Sequence, residues 1–84
     1  MLQGAFTAVE SASRQLAKRI RLLRAKQGLT QEELAAKCGI SIKHLQKLES
    51  GKEDHEPRIG TLEKLSQGFG IPIWKLVKFD GKVE

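Results

Sequence analysis

Between Ser13 and Gln27 the apolar residues Leu16, Ile20 and Leu23 recur at helical spacing, with Arg14, Lys18 and Arg21 among the polar residues between them. This pattern predicts one amphipathic helix, which Gly28 stops. Two shorter helical patterns follow and meet at Gly39: Leu34, Ala35 and Cys38 share a face of the first, and Leu45 and Leu48 a face of the second. Each has its own start signal. Thr30 can N-cap the first while Glu33 closes a capping box, and Leu29 can staple onto Leu34. Ser41 repeats the device before the second, with Ile40 facing Leu45. Gly39 can take positive φ without steric cost, so the chain ends one helix and turns into the next. The product is a helix-turn-helix over residues 31–50, with the small Ala35 where the second helix crosses the first.

Downstream, Pro57 and Arg58 open a fourth helix in which Ile59, Leu62, Leu65 and Phe69 follow helical spacing until Gly70. Pro72 then starts a short fifth helix, IPIWKLVKF, whose Trp74 and Leu76 are expected to complete the core. The first dozen residues carry Leu2, Phe6 and Val9 without clean periodicity, although Thr7 and Glu10 could form a capping box; a frayed start is expected. Asp80-Gly81 is a turn signal near the end. The expectation is an all-α domain of five helices over residues 13–79, preceded by a partly ordered arm, 1–12, and followed by a tail, 80–84.

At 84 residues the chain is one small domain with a marginal core and no room for a separate catalytic domain. Its formal net charge of +5 is unevenly spread. Residues 14–52 hold ten Lys or Arg against three acids, whereas residues 53–84 hold five against six. The basic excess lies on the helix-turn-helix half, as a polyanion-binding surface requires. A single cysteine excludes an internal disulfide, and Cys38 falls at an inward position suited to a small hydrophobe. No stretch reaches membrane-spanning length and no leader pattern opens the chain, so a soluble, cytoplasmic setting is expected.

With Leu45 and Leu48 turned inward, the second helix of the motif presents Ser41, Ile42, Lys43, Gln46 and Lys47 outward. These side chains suit a DNA groove: Gln46 can bond bidentately to adenine, Lys43 or Lys47 can reach guanine acceptors or touch phosphate, and Ile42 can meet a thymine methyl. His44 is read as a solvent- or phosphate-facing residue at the helix start. Cys38, His44 and His55 have no metal-ligand spacing, and no glycine-rich phosphate loop, carboxylate pair or activated nucleophile is visible. Neither enzyme activity nor a cofactor is expected.

The chain resembles the phage repressor and Cro family of helix-turn-helix domains, also called Xre-type, from about Leu16 to Val77, through TQEELA, the turn at Gly39 and the LESGK that ends the second motif helix. The resemblance implies a lambda-repressor-like five-helix fold and sequence-specific binding of double-stranded DNA by a transcriptional regulator, read here as a repressor, with residues 41–50 in the major groove. It also implies that Arg24 pairs with an inward-facing Glu49, that Gln31 contacts phosphate beside the N–H groups of its helix start, and that Lys52 is a loop contact. Arg58 matches a position near the minor groove in some members, but the loop 53–56, with three acids around His55, departs from the family there. One short helix reads few base pairs, so a homodimer is expected, with the fifth helix supplying part of its interface through Ile73, Val77 and Phe79. A competing reading keeps the scaffold for a protein-interaction module, coactivator-bridging or antitoxin-like; steep salt dependence of binding to random duplex separates the two.

Overall fold

The computed structural model describes residues 10–52 and 56–79, and all regular structure within them is helical. Five helices follow one another: α1 (Ala12–Gln27), α2 (Gln31–Cys38), α3 (Ile42–Ser50), α4 (Ile59–Phe69) and α5 (Ile73–Leu76). Local signals set most of their ends. The Ser11 hydroxyl accepts from the Arg14 N–H at 3.2 Å, which starts α1 at Ala12. Thr30 and Glu33 close the expected capping box: the Glu33 N–H donates to Thr30 Oγ1 at 3.0 Å and the Thr30 N–H to Glu33 Oε1 at 2.9 Å. The bond from the Thr30 N–H, and after it the Thr30 hydroxyl, hold the Glu33 carboxyl below its usual range. Gly39, at φ 70°, lets the chain leave α2 and enter α3 within three residues. The other capping box expected near the start needs Thr7, which lies outside the described residues; Glu10 faces Lys18 instead, at 2.7 Å.

α1 packs against α3, α2 against α3 and α4, and α5 returns from α4 to α1. Their common core is Leu16, Ile20, Leu23, Leu34, Ala35, Cys38, Leu45, Leu48, Leu65, Phe69 and Leu76, with Leu29 and Ile40 packed at its edge. Burying one such leucine is worth about 1.5–3 kcal/mol, so each helix contributes through a few side chains. Burial also pushes the Cys38 thiol up, and Lys37 opposes this only in part. The close approach between α2 and α4 lies at Cys38 and Gly68: a Cβ on Gly68 would sit 2.3 Å from Cys38 Sγ.

Three apolar expectations are corrected. Trp74 is 62% exposed, while Leu76 is fully buried. Residues two apart on a helix point in nearly opposite directions, so the two cannot share an inward face. Ile59 is 70% exposed because the first turn of α4 overhangs the core; Leu62, one turn on, is half-buried and Leu65 fully buried. Phe79 packs against the core and does not extend an outer patch.

Arg19 is buried although its residue type predicts solvent. Its Nε and Nη2 donate to the Lys75 carbonyl at 3.0 and 2.7 Å, which ties α1 to α5 and satisfies a charge that would otherwise be costly to bury.

Candidate nucleic-acid interface

The rotation of α3 about its own axis decides which side chains it offers, and three buried residues set that rotation. Leu45 and Leu48 enter the core, and Glu49 lies beside them at 6% exposure. Such a carboxylate needs partners on every side. Arg24 supplies two: Nε donates to Glu49 Oε2 at 2.9 Å and Nη2 to Oε1 at 3.1 Å, the bidentate geometry that favours arginine over lysine. Gln31 Nε2 donates to Glu49 Oε1 at 3.1 Å, and Arg24 Nη1 donates to the Leu29 carbonyl, also at 3.1 Å. Arg21 Nη1 donates to the Glu49 backbone carbonyl. The carboxylate thereby pins the end of α3 to α1 and to the start of α2, and it faces into the domain.

The opposite face of α3 is open. Ser41, Ile42, Lys43, Gln46 and Lys47 are exposed and His44 is half-exposed. At about 100° per residue, Lys43 and Lys47 hold the centre of that face, Ile42 and Gln46 one flank and His44 the other. The Ser41 hydroxyl accepts from the His44 N–H at 3.0 Å, so Ser41 both caps the helix and sits at its exposed tip. The residues of α3 add no acidic side chain to this face, since the one carboxylate of the helix is the buried Glu49. Two cations and an amide therefore form a surface complementary to base edges lined with acceptors and to phosphate.

Two other expected site residues are placed differently. Gln31, half-buried at the start of α2, spends one amide proton on Glu49 and keeps one for another acceptor. Lys52 does not join the outer face of α3. It lines a cleft against α1 together with Arg14, Lys18 and Arg21. In the sequence those three read only as the polar side of α1. The available signal was their spacing, 14, 18 and 21, which repeats at helical period and marks one charged stripe.

A sharp helix pair whose second member is held by its inner face and presents cations outward is the architecture of a DNA-reading helix-turn-helix domain. The helix-turn-helix family model matches residues 20–73, and the chain belongs to that family. It is similar to an uncharacterized HTH-type transcriptional regulator, y4dJ, of Sinorhizobium fredii, with 42% identity over 55 residues, 66% of this chain and 69% of the relative. A second uncharacterized HTH-type transcriptional regulator, from Archaeoglobus fulgidus, is 42% identical over 62 residues, 74% of this chain and 86% of its own length. The fold is similar to the crystal structure of a hypothetical transcription factor, NHTF, from Neisseria, with a TM-score of 0.75 and 26% identity, covering 83% of this chain and 78% of that one.

Proposed function

We infer that this chain regulates transcription by binding double-stranded DNA sequence-specifically, as a repressor, with α3 in the major groove. The observation that carries the reading is the division of α3 itself, with Leu45, Leu48 and Glu49 buried and Lys43, Gln46 and Lys47 exposed. The exposed face of α3 itself offers a protein partner few apolar anchors, since Ile42, 39% exposed, is the one large apolar residue there. Selection from a random duplex library, followed by binding at several salt concentrations, tests the reading. A consensus and a log–log slope of about −0.9 per neutralised phosphate are expected. Binding that ignores both sequence and salt would reject it.

Within α3, Gln46 and Lys43 are the candidates for base contact. Gln46→Ala and Lys43→Ala are each expected to reduce discrimination at particular base pairs by about 1–3 kcal/mol with little change in fold stability. Equal weakening on every duplex would make the altered residue a phosphate contact.

The regulator is read as a homodimer, because one helix of nine residues covers too few base pairs for a specific site. Supporting this, Ile73, Trp74 and Val77 are 36%, 62% and 37% exposed around α5, an apolar group that the described residues leave partly open. Ile73→Lys with Val77→Lys is expected to convert a dimer to a monomer in sedimentation, and the chain's one tryptophan, Trp74, should shift its emission to longer wavelength as it becomes solvated. A wild type that stays monomeric at high micromolar concentration without DNA would exclude a preformed dimer.

A further inference from the structure

A second cationic surface lies beside the C-terminal end of α3. Arg14, Lys18 and Arg21 occupy one stripe of α1, and the loop after α3 brings Lys52 against it. The loop turns back at Gly51, whose φ of 73° is a left-handed conformation that glycine adopts without strain, and this sets it beside Ala17 and Arg14. The four cations line a shallow cleft of about 260 Å³ whose remaining lining includes Ser50 and one carboxylate, Glu10. Each cation has a different engagement. Arg21 caps the α3 carbonyl of Glu49. Lys18 Nζ bonds both Glu10 oxygens, at 2.8 and 2.7 Å. Among the described residues the side chains of Arg14 and Lys52 pair with no carboxylate.

We propose that this α1 cleft is a second phosphate-binding surface, which holds the sugar–phosphate backbone of the duplex next to the groove that α3 occupies, and that Glu10 restrains it by neutralising Lys18. The proposal rests on the DNA-binding reading above and extends it to residues outside the helix-turn-helix. Three features support DNA backbone as the ligand. The cleft is continuous with the reading helix through Ser50, whose Oγ donates to the Lys47 carbonyl at 2.6 Å and accepts the Lys52 N–H at 3.3 Å. Its stripe from Arg14 to Arg21 extends about 10 Å along α1 at 1.5 Å per residue. One DNA strand presents a phosphate every 3.4 Å of axis, so a stripe of that length can reach more than one phosphate. The surface also lacks the apolar and hydrogen-bonding variety that reads bases, which fits a contact that adds affinity without sequence information.

The test uses the full chain, the duplex recovered by selection, and two variants that keep α3 and Arg21 intact. Arg14→Gln with Lys52→Gln, which removes the two cations that pair with no carboxylate among the described residues, is expected to leave melting and consensus unchanged. It should flatten the salt slope by about 1.8, two phosphates at 0.9 each, and remove specific positions from the phosphate-ethylation interference pattern. Glu10→Gln, which frees Lys18, should act in the opposite direction, with tighter binding to all duplexes and a slope steeper by about 0.9. Unchanged slope and interference pattern in the double variant would overturn the cleft, while wild-type binding of the same duplex would leave the α3 reading intact. Absence of any DNA binding by the wild type would instead defeat that underlying reading. Saturable binding of inorganic pyrophosphate at the cleft, followed by amide NMR shifts, with no effect of the double variant on DNA, would assign it to a free phosphorylated ligand and overturn the proposal.

Discussion

Arg24→Ala is expected to lower the unfolding free energy by about 3 kcal/mol, at the lower end of what removing one partner of a buried ion pair costs. The lower end applies because Arg24 is partly open, with 24% of its side chain exposed against 5% for Glu49. The loss has a specific origin. Alanine removes both bonds to the carboxylate and the bond to the Leu29 carbonyl, and Gln31 alone remains to solvate Glu49. Urea denaturation of Arg24→Ala, Glu49→Gln and the double variant tests this as a cycle. The double variant should be more stable than the sum of the single losses predicts, with a coupling of about 1–3 kcal/mol, because neutralising the stranded carboxylate removes most of the penalty. A loss below about 0.5 kcal/mol would mean that the pair is solvated like a surface salt bridge. DNA affinity should fall with stability, since the same pair sets the face that α3 presents.

The features of this fold that are legible in the sequence are those whose cause is local. Thr30, Glu33, Gly39 and Ser41 act within one turn of themselves, so their residue types and spacing specify the caps and the tight turn. The inward and outward faces of α3 follow from periodicity for the same reason. The Arg24–Glu49 pair is different, because 25 residues separate the partners and nothing in either helix points to the other. It was legible only through the resemblance to repressors. Arg19 shows the limit of composition, since an arginine on α1 reads as solvated until α5 is known to place the Lys75 carbonyl against it. Trp74 shows that hydrophobicity alone does not fix a residue's place: in a helix of four residues, the burial of Leu76 dictates that Trp74 points outward. The stripe on α1 was visible as charge, but its union with Lys52 required the loop to fold back at Gly51.

Gly68→Ala and Gly60→Ala are expected to change stability in opposite directions, although both place the same methyl group on α4. In each case alanine should gain up to about 1 kcal/mol of helix propensity over glycine. At Gly60 nothing lies within 4 Å of the new Cβ, so the gain survives and the variant should be stabilised. At Gly68 the Cβ would sit 2.3 Å from Cys38 Sγ and 3.1 Å from both the Cα and the N of Cys38. The sulfur belongs to a buried side chain in a packed core, and the backbone atoms of α2 cannot rotate aside, so α2 and α4 must separate. Overpacking of this kind costs roughly 1–3 kcal/mol and here lies at the upper end, because two helices move together. The net loss should be about 2 kcal/mol, which lowers the melting temperature of a domain this size by about 10 °C. Cys38→Ala in the same chain should restore only part of it, since it removes the 2.3 Å contact and leaves both 3.1 Å contacts in place. Melting curves of the three variants decide the matter: a Gly68→Ala protein as stable as Gly60→Ala would mean that α2 and α4 do not cross at Cys38, and full rescue by Cys38→Ala would mean that the sulfur alone sets the spacing.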